Sequence, residues 1–245
     1  MSGQFHLEKA ILYEDASVLV LHKPAGIPVQ TASVGRQDLV SLLKNYRAAK
    51  GEQPYIGVVH RLDQPVEGVL VFAKTPQAAA SLSRQIGTAD FGKHYCAVVC
   101  NITGGQLVPQ QETELTDYLC KDGRKNCSSV TEQGAPGAKK AQLRYSVRSV
   151  KDQYALVAVT LLTGRHHQIR VQMAHAGLPL VADKKYAPSQ TLPEWADRNV
   201  ALCSVSVAFL HPDSGKRMEF LTEPENRTFQ IFSNGKQKVR SCKFK

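Results

Sequence analysis

Nowhere does the sequence reach the about eighteen uninterrupted apolar residues that a membrane-spanning helix requires. Its opening, Met1 to Asp15, lacks the basic stretch and long apolar core of a secretory leader. Together these absences predict a cytoplasmic protein with no membrane partner. The six cysteines (Cys96, Cys100, Cys120, Cys127, Cys203, Cys242) include no CxxC pair. They read as free thiols and small buried hydrophobes, not as a disulfide or zinc framework. His94, Cys96 and Cys100 would share one face of a strand without the fourth ligand of a structural zinc site, so no metal is expected. The H-x-E and P-C-x-x-C pair is also missing, which excludes a zinc-dependent base deaminase. No internal repeat is visible.

What is present is a chain of 245 residues, 42% of them hydrophobic, enough to bury a sizeable core. Lysine and arginine outnumber the acids by 31 to 21, a formal charge of +10. Such an excess favours polyanionic partners, of which nucleic acid is the commonest.

Val18–Leu21 reads as a buried strand ending at the turn Lys23-Pro24-Ala25-Gly26. Asp38 is placed to cap a helix whose Leu39, Leu42, Leu43 and Tyr46 form one apolar stripe. Residues 68–73 form a second apolar strand. Thr75-Pro76 opens a helix over residues 77–86, which Gly87 stops. A strand follows at residues 95–100. Residues 101–141 carry five glycines, two prolines and many polar side chains, and predict a loop-rich basic excursion. Strands are expected again at 142–149 and 154–162, a helix over 166–176 closed by Gly177, and a strand over 200–210. The tail, 233–245, is basic with no acid. Short strands mixed with a few helices predict a single α+β domain over 1–232.

Two stretches carry chemistry. The first is His60-Arg61-Leu62-Asp63-Gln64-Pro65. In an extended backbone Arg61 and Asp63 face one way while Leu62 anchors the other side. A solvated Arg/Asp pair beside a turn is the plainer account of the same residues. The second is Thr163-Gly164-Arg165-His166-His167-Gln168-Ile169-Arg170, where a strand hands over to a helix. Arg165 and Arg170 suit phosphates or a buried carboxylate. A cation at a helix start is electrostatically unfavourable, which gives Arg165 reason to have an acidic partner.

In order and spacing these residues resemble the RluA branch of the pseudouridine synthase family. His60-Arg61-Leu62-Asp63 with Gly68 and Ala73-Lys74 is similar to its HRLD…G…AK signature. Gly164 to Arg170, then Gly177, Pro179, Asp183 and Tyr186, resembles GRxHQIR and GxP…D…Y. Tyr13-Glu14-Asp15 with Lys23-Pro24-Ala25-Gly26, Lys93-His94-Tyr95, and Leu210-His211-Pro212 are similar to three further motifs. Val66-Glu67 stands where Thr-Ser is usual, Gln172 where His is frequent, and Ala182 where Gly is frequent. The sequence leaves no room ahead of Tyr13 for an S4-type RNA-binding domain.

The resemblance implies a mixed, mainly antiparallel sheet with flanking helices and a central active-site cleft. It implies isomerisation of uridine in ribosomal or transfer RNA, which needs no cofactor, no metal and no obligatory protein partner; a monomer is expected. Asp63 would be the catalytic carboxylate, Arg165 its counter-ion, and Tyr95 the ring that packs on the target base. Ile169 would press the base's other face. Arg61, His60, Arg170 and Lys23 would serve RNA or support the site. A non-catalytic RNA-binding factor on the same scaffold is the rival reading, and it gives no reason to keep Asp63, Arg165 and Tyr95 together.

Overall fold

The computed structural model describes residues 5–32 and 35–233. In chain order the elements begin with α1 (Leu7–Ala10), β1 (Ile11–Glu14), β2 (Val18–Lys23), α2 (Leu39–Ala49), β3 (Gly57–Val58), β4 (Glu67–Ala73) and α3 (Pro76–Gln85). They continue with β5 (Gly92–Cys100), β6 (Glu112–Asp122), β7 (Cys127–Thr131), β8 (Lys139–Lys151), β9 (Tyr154–Leu161) and α4 (Gln168–His175). The last are β10 (Leu202–Leu210), β11 (Arg217–Leu221) and a 3-10 turn at Arg227–Phe232. The class is α+β, as expected. From residue 234 onward the basic tail lies outside the described residues.

The chain divides into two compact units, residues 1–92 with 204–222, and residues 93–203 with 223–245. In the first, strands run in the order β1-β2-β4-β10, with β3 also on β4 and β11 on β10. β2 and β4 pair antiparallel over their full lengths, from Val18 opposite Ala73 to Lys23 opposite Gly68. Every residue of both strands is buried, which explains their unbroken apolar runs. Val18, Val20, Val69, Val71, Val207 and Phe209 pack with Ala78 and Leu82 of α3 into one core. Each such side chain contributes about 1.5–3 kcal/mol by leaving water.

Capping sets the helices of this unit. The Asp38 carboxylate accepts the Ser41 N–H at 2.8 Å, and Thr75 Oγ1 accepts the Ala78 N–H at 3.1 Å ahead of Pro76. Gly87 follows α3 with φ +89°, the left-handed conformation that ends a helix.

The second unit orders its strands β5-β9-β8-β6-β7, each neighbouring pair antiparallel. Here the expected loop-rich excursion is corrected. Residues 112–131 form a hairpin, and β6 lies in an eight-pair ladder with β8. Most of β6 is exposed or half-buried, so no apolar alternation announces it. The helix expected from residue 166 starts at Gln168, because His167 takes a left-handed conformation (φ +54°) just before it.

Among the described residues no helix is long and apolar enough to cross a membrane.

Candidate active site

Three of the quoted motifs meet in the first unit as scaffolding. Glu14 Oε1 lies 2.7 Å from Lys74 Nζ, joining the opening motif to Ala73-Lys74. Asp15 accepts the N–H groups of Ser17 and Val18 at 2.8 Å each, and its Oδ2 lies 2.7 Å from His211 Nε2. Residues distant in sequence thus lock the rim from which β2 and β4 run toward Asp63.

Asp63 sits on the turn leading into β4. Leu62 beneath it is 6% exposed, Asp63 is half-buried, and Arg61 is exposed, the alternation expected of an extended stretch. The Asp63 carbonyl accepts the Val66 N–H at 3.0 Å, closing the turn. His60 holds the stretch from behind. Its Nε2 accepts the Val71 N–H at 3.2 Å, and its ring meets Phe91 edge-on with centroids 5.2 Å apart. These contacts make His60 an anchor of the loop.

The turn is bolted to the Lys23-Pro24-Ala25-Gly26 loop. Gly26 donates its N–H to the Gln64 carbonyl at 2.8 Å, and Gln64 Nε2 returns a bond to the Gly26 carbonyl at 2.9 Å. Lys23 completes the joint. Its side chain is wholly buried, and Nζ donates to the carbonyls of Pro24 (2.9 Å), Ile27 (2.8 Å) and Gln64 (3.1 Å). Burial pushes the Lys23 ammonium down to about 7, while the charges of Asp63 and Glu67 pull it back up. Lys23 was expected to support the site or touch RNA, and its three donors are all committed to the fold.

The two departures nearest Asp63 are both inside: Val66 is 2% and Glu67 4% exposed. Glu67 therefore adds a second carboxylate beside Lys23. Gly68, next in line, has φ +123°, and a Cβ there would collide with the Ser204 backbone of β10. Only glycine fits that position.

The second motif builds the turn into α4. Gln168, 3% exposed, accepts from Thr163 Oγ1 and from the Arg165 N–H, each at 2.8 Å, and donates to the Gln142 carbonyl at 3.0 Å. Its amide shapes the turn from within. The two arginines then part. Arg170 is buried, and its Nε and Nη2 grip the two Asp183 oxygens at 2.7 Å each. Arg165 is exposed and donates through Nε to the Lys140 carbonyl at 2.8 Å. Of the two arginines that the sequence offered for a buried carboxylate, Arg170 is thus the one that holds one. The reason is position. Arg165 precedes the helix on an outward turn, whereas Arg170 lies inside α4 on its packed side.

Tyr95 lies on β5 opposite Val159 and is 5% exposed; Ile169 on α4 is 4% exposed. His94 Nδ1 lies 3.2 Å from Thr160 Oγ1 across the same ladder. Lys93 is half-buried, and desolvation pushes its pKa down; its Nζ packs so close to Gly164 that a Cβ there would come within 3.3 Å.

The family model for RNA pseudouridylate synthase matches residues 17–175, from β2 through α4. The chain belongs to the RNA pseudouridylate synthase family. Among its relatives, the ribosomal large subunit pseudouridine synthase C of Haemophilus influenzae is 30% identical over 97% of this chain and 70% of its own length. The ribosomal large subunit pseudouridine synthase D of Xylella fastidiosa is 35% identical over 82% of this chain and 62% of that protein. The chain thus spans about two thirds of the length of these relatives. In fold it is similar to human RNA pseudouridylate synthase domain containing 4, with TM-score 0.70, 20% identity and coverage of 89% of this chain and 90% of that one.

Sequence reasoning did not foresee the burial of Glu67 and Lys23. Glu67 was visible as a departure from the family pattern, but nothing in the string said that it is buried beside a lysine.

Proposed function

We propose that this protein converts uridine to pseudouridine in RNA, with the Asp63 carboxylate as the reacting group. The observation that carries the reading is the Asp63 turn itself. The turn that carries this half-buried carboxylate is held at Gln64 by reciprocal bonds to Gly26, and the carboxylate lies in the field of a wholly buried lysine. Desolvation disfavours a carboxylate's charge, and a nearby ammonium restores it. Lys23, whose ammonium persists up to about pH 7, is assigned that task.

The reaction breaks the N1–C1′ bond, turns the base, and joins C5 to C1′. The C5 proton leaves and N1 gains one, so atoms balance with no co-reactant. Asp63 either attacks C1′ or removes a ribose proton. By family pattern Tyr95 packs on the base and Ile169 presses it from the other face. The target nucleotide is flipped from its stack at a cost of about a few kcal/mol. Arg61, exposed beside Asp63, fills the vacancy or holds an adjacent phosphate. The names of the relatives favour large-subunit ribosomal RNA as substrate.

Asp63→Asn tests the reading. With RNA tritiated at uridine C5, the parent protein should release tritium to water and the variant should release none, while both bind RNA equally. Release by the variant at the parent rate would refute the assignment. Comparing pseudouridine maps of cellular RNA with and without the protein would name the target.

A further inference from the structure

The β6–β7 hairpin has no part in the chemistry assigned above, yet it is tied to the turn that opens α4. Its loop, residues 123–126, follows Asp122, whose Oδ1 accepts the N–H groups of Arg124 (2.9 Å) and Lys125 (3.1 Å). That carboxylate is thereby spent on shaping the tip. His166, at the variable position of GRxHQIR, reaches the hairpin with both ring nitrogens. Nδ1 lies 2.9 Å from Ser128 Oγ, and Nε2 lies 3.1 Å from Asn126 Oδ1. The ring stacks on His167 with centroids 3.7 Å apart. Two further ties help. The Ser128 N–H donates to Tyr186 Oη at 2.9 Å, and Lys185 Nζ donates to the Asn126 carbonyl at 2.6 Å.

The result is a fixed ridge of cations. Lys121, Arg124 and Lys125 are exposed on the hairpin, with exposed Lys185 against its tip. Lys140 lies across β6 from β7, and Arg165 is fastened to the Lys140 carbonyl. The acids near this ridge are few. Asp122 is engaged by the tip, Asp117 Oδ2 is held by Gln172 Nε2 at 2.7 Å, and Glu132 is exposed beyond β7.

We propose that the β6–β7 hairpin is a preformed docking rail for the RNA sugar–phosphate backbone, latched to the α4 turn by His166. The inference rests on the RNA substrate assigned above and adds where the strand outside the target nucleotide is gripped. Charge complementarity names the occupant, because each cation that meets a phosphate releases condensed counterions. The ties settle the geometry before RNA arrives, which lowers the ordering cost of binding. On this reading Arg165 belongs to the rail as a phosphate contact.

The test measures equilibrium binding of a transcript of bacterial large-subunit ribosomal RNA between 50 and 200 mM salt. The parent is compared with Lys121→Gln/Arg124→Gln/Lys125→Gln. Three lost contacts should flatten the log–log salt slope by about 2–3, so the variant loses roughly thirty-fold less affinity across that range. A variant of equal charge loss, Lys44→Gln/Lys216→Gln/Arg217→Gln, should keep the parent slope. Equal flattening in both would reduce the effect to net charge and overturn the rail, as would an unchanged slope in the hairpin variant. His166→Ala should weaken binding with the slope intact; unchanged affinity would remove the latch. Binding is read without catalysis, so a parent that grips RNA through the hairpin yet makes no pseudouridine would refute the enzymatic reading alone.

Discussion

Lys23 shows how one side chain can serve three backbones. An ammonium has three donors, and all three end on carbonyls of the two loops that meet beneath Asp63. Lys23→Met keeps the stem's bulk and strands those acceptors, so it should cost about 3 kcal/mol of stability in a urea melt and abolish tritium release. The pH dependence follows from the lowered pKa, about 7 in the fold against 10.5 in the free side chain. Below pH 7 the proton is bound in both states and contributes no slope. Between pH 7 and 10.5 only the unfolded chain keeps it, so this group makes the protein more stable as pH rises. Subtracting the stability profile of Lys23→Met from that of the parent should leave a rise across that window; a flat difference would mean the lysine stays charged when folded. The sequence offered Lys23 as a loop residue that supports the site or meets RNA. Its burial could not be seen, because a lysine at a strand end ordinarily lies in water.

At the scale of elements, legibility followed hydrophobic contrast. β2, β4, α2 and α3 were visible because their apolar positions and caps agree, and Asp38 and Thr75 do cap as their positions suggested. The β6–β7 hairpin was hidden because its stabilisation comes from a backbone ladder shared by polar side chains. The sequence offered both Arg165 and Arg170 for a buried carboxylate, and the true start of α4 gives them different surroundings. The turn after α4 carries a further consequence of sequence departure. Ala182 has φ +64°, a conformation that costs an L-residue with a Cβ roughly 1–2 kcal/mol and glycine very little. Ala182→Gly should therefore raise stability by about 0.5–1 kcal/mol after glycine's extra unfolded-state entropy is subtracted. A lower melting temperature for that variant would show that the alanine's packing outweighs its strain.

At the scale of the whole molecule, the motifs alternate between the two compact units. HRLD, Ala73-Lys74 and Leu210-His211-Pro212 belong to the first, while Lys93-His94-Tyr95 and the α4 motif belong to the second. Their order was legible in the string; the division was not, since no linker composition marks residues 92 or 204. The first unit needs its distant segment. Val207 and Phe209 are fully buried in its core, and deleting residues 204–222 would remove them together with β10 and β11. Two such side chains account for about 3–6 kcal/mol, comparable with the entire stability of a small domain. The deletion should abolish hydrogen-exchange protection of the β2 and β4 amides, whereas retained protection there would show that residues 1–92 suffice.

Because Gly68 admits the backbone of Ser204 and nothing larger, the turn bearing Asp63 is finished by a residue made 136 positions later, by the difference of the two residue numbers. At about 5–20 residues per second, the nascent protein waits roughly 7–27 seconds between those two events. During that interval the Asp63 turn exists on an incomplete support, without the β10 backbone that Gly68 packs against.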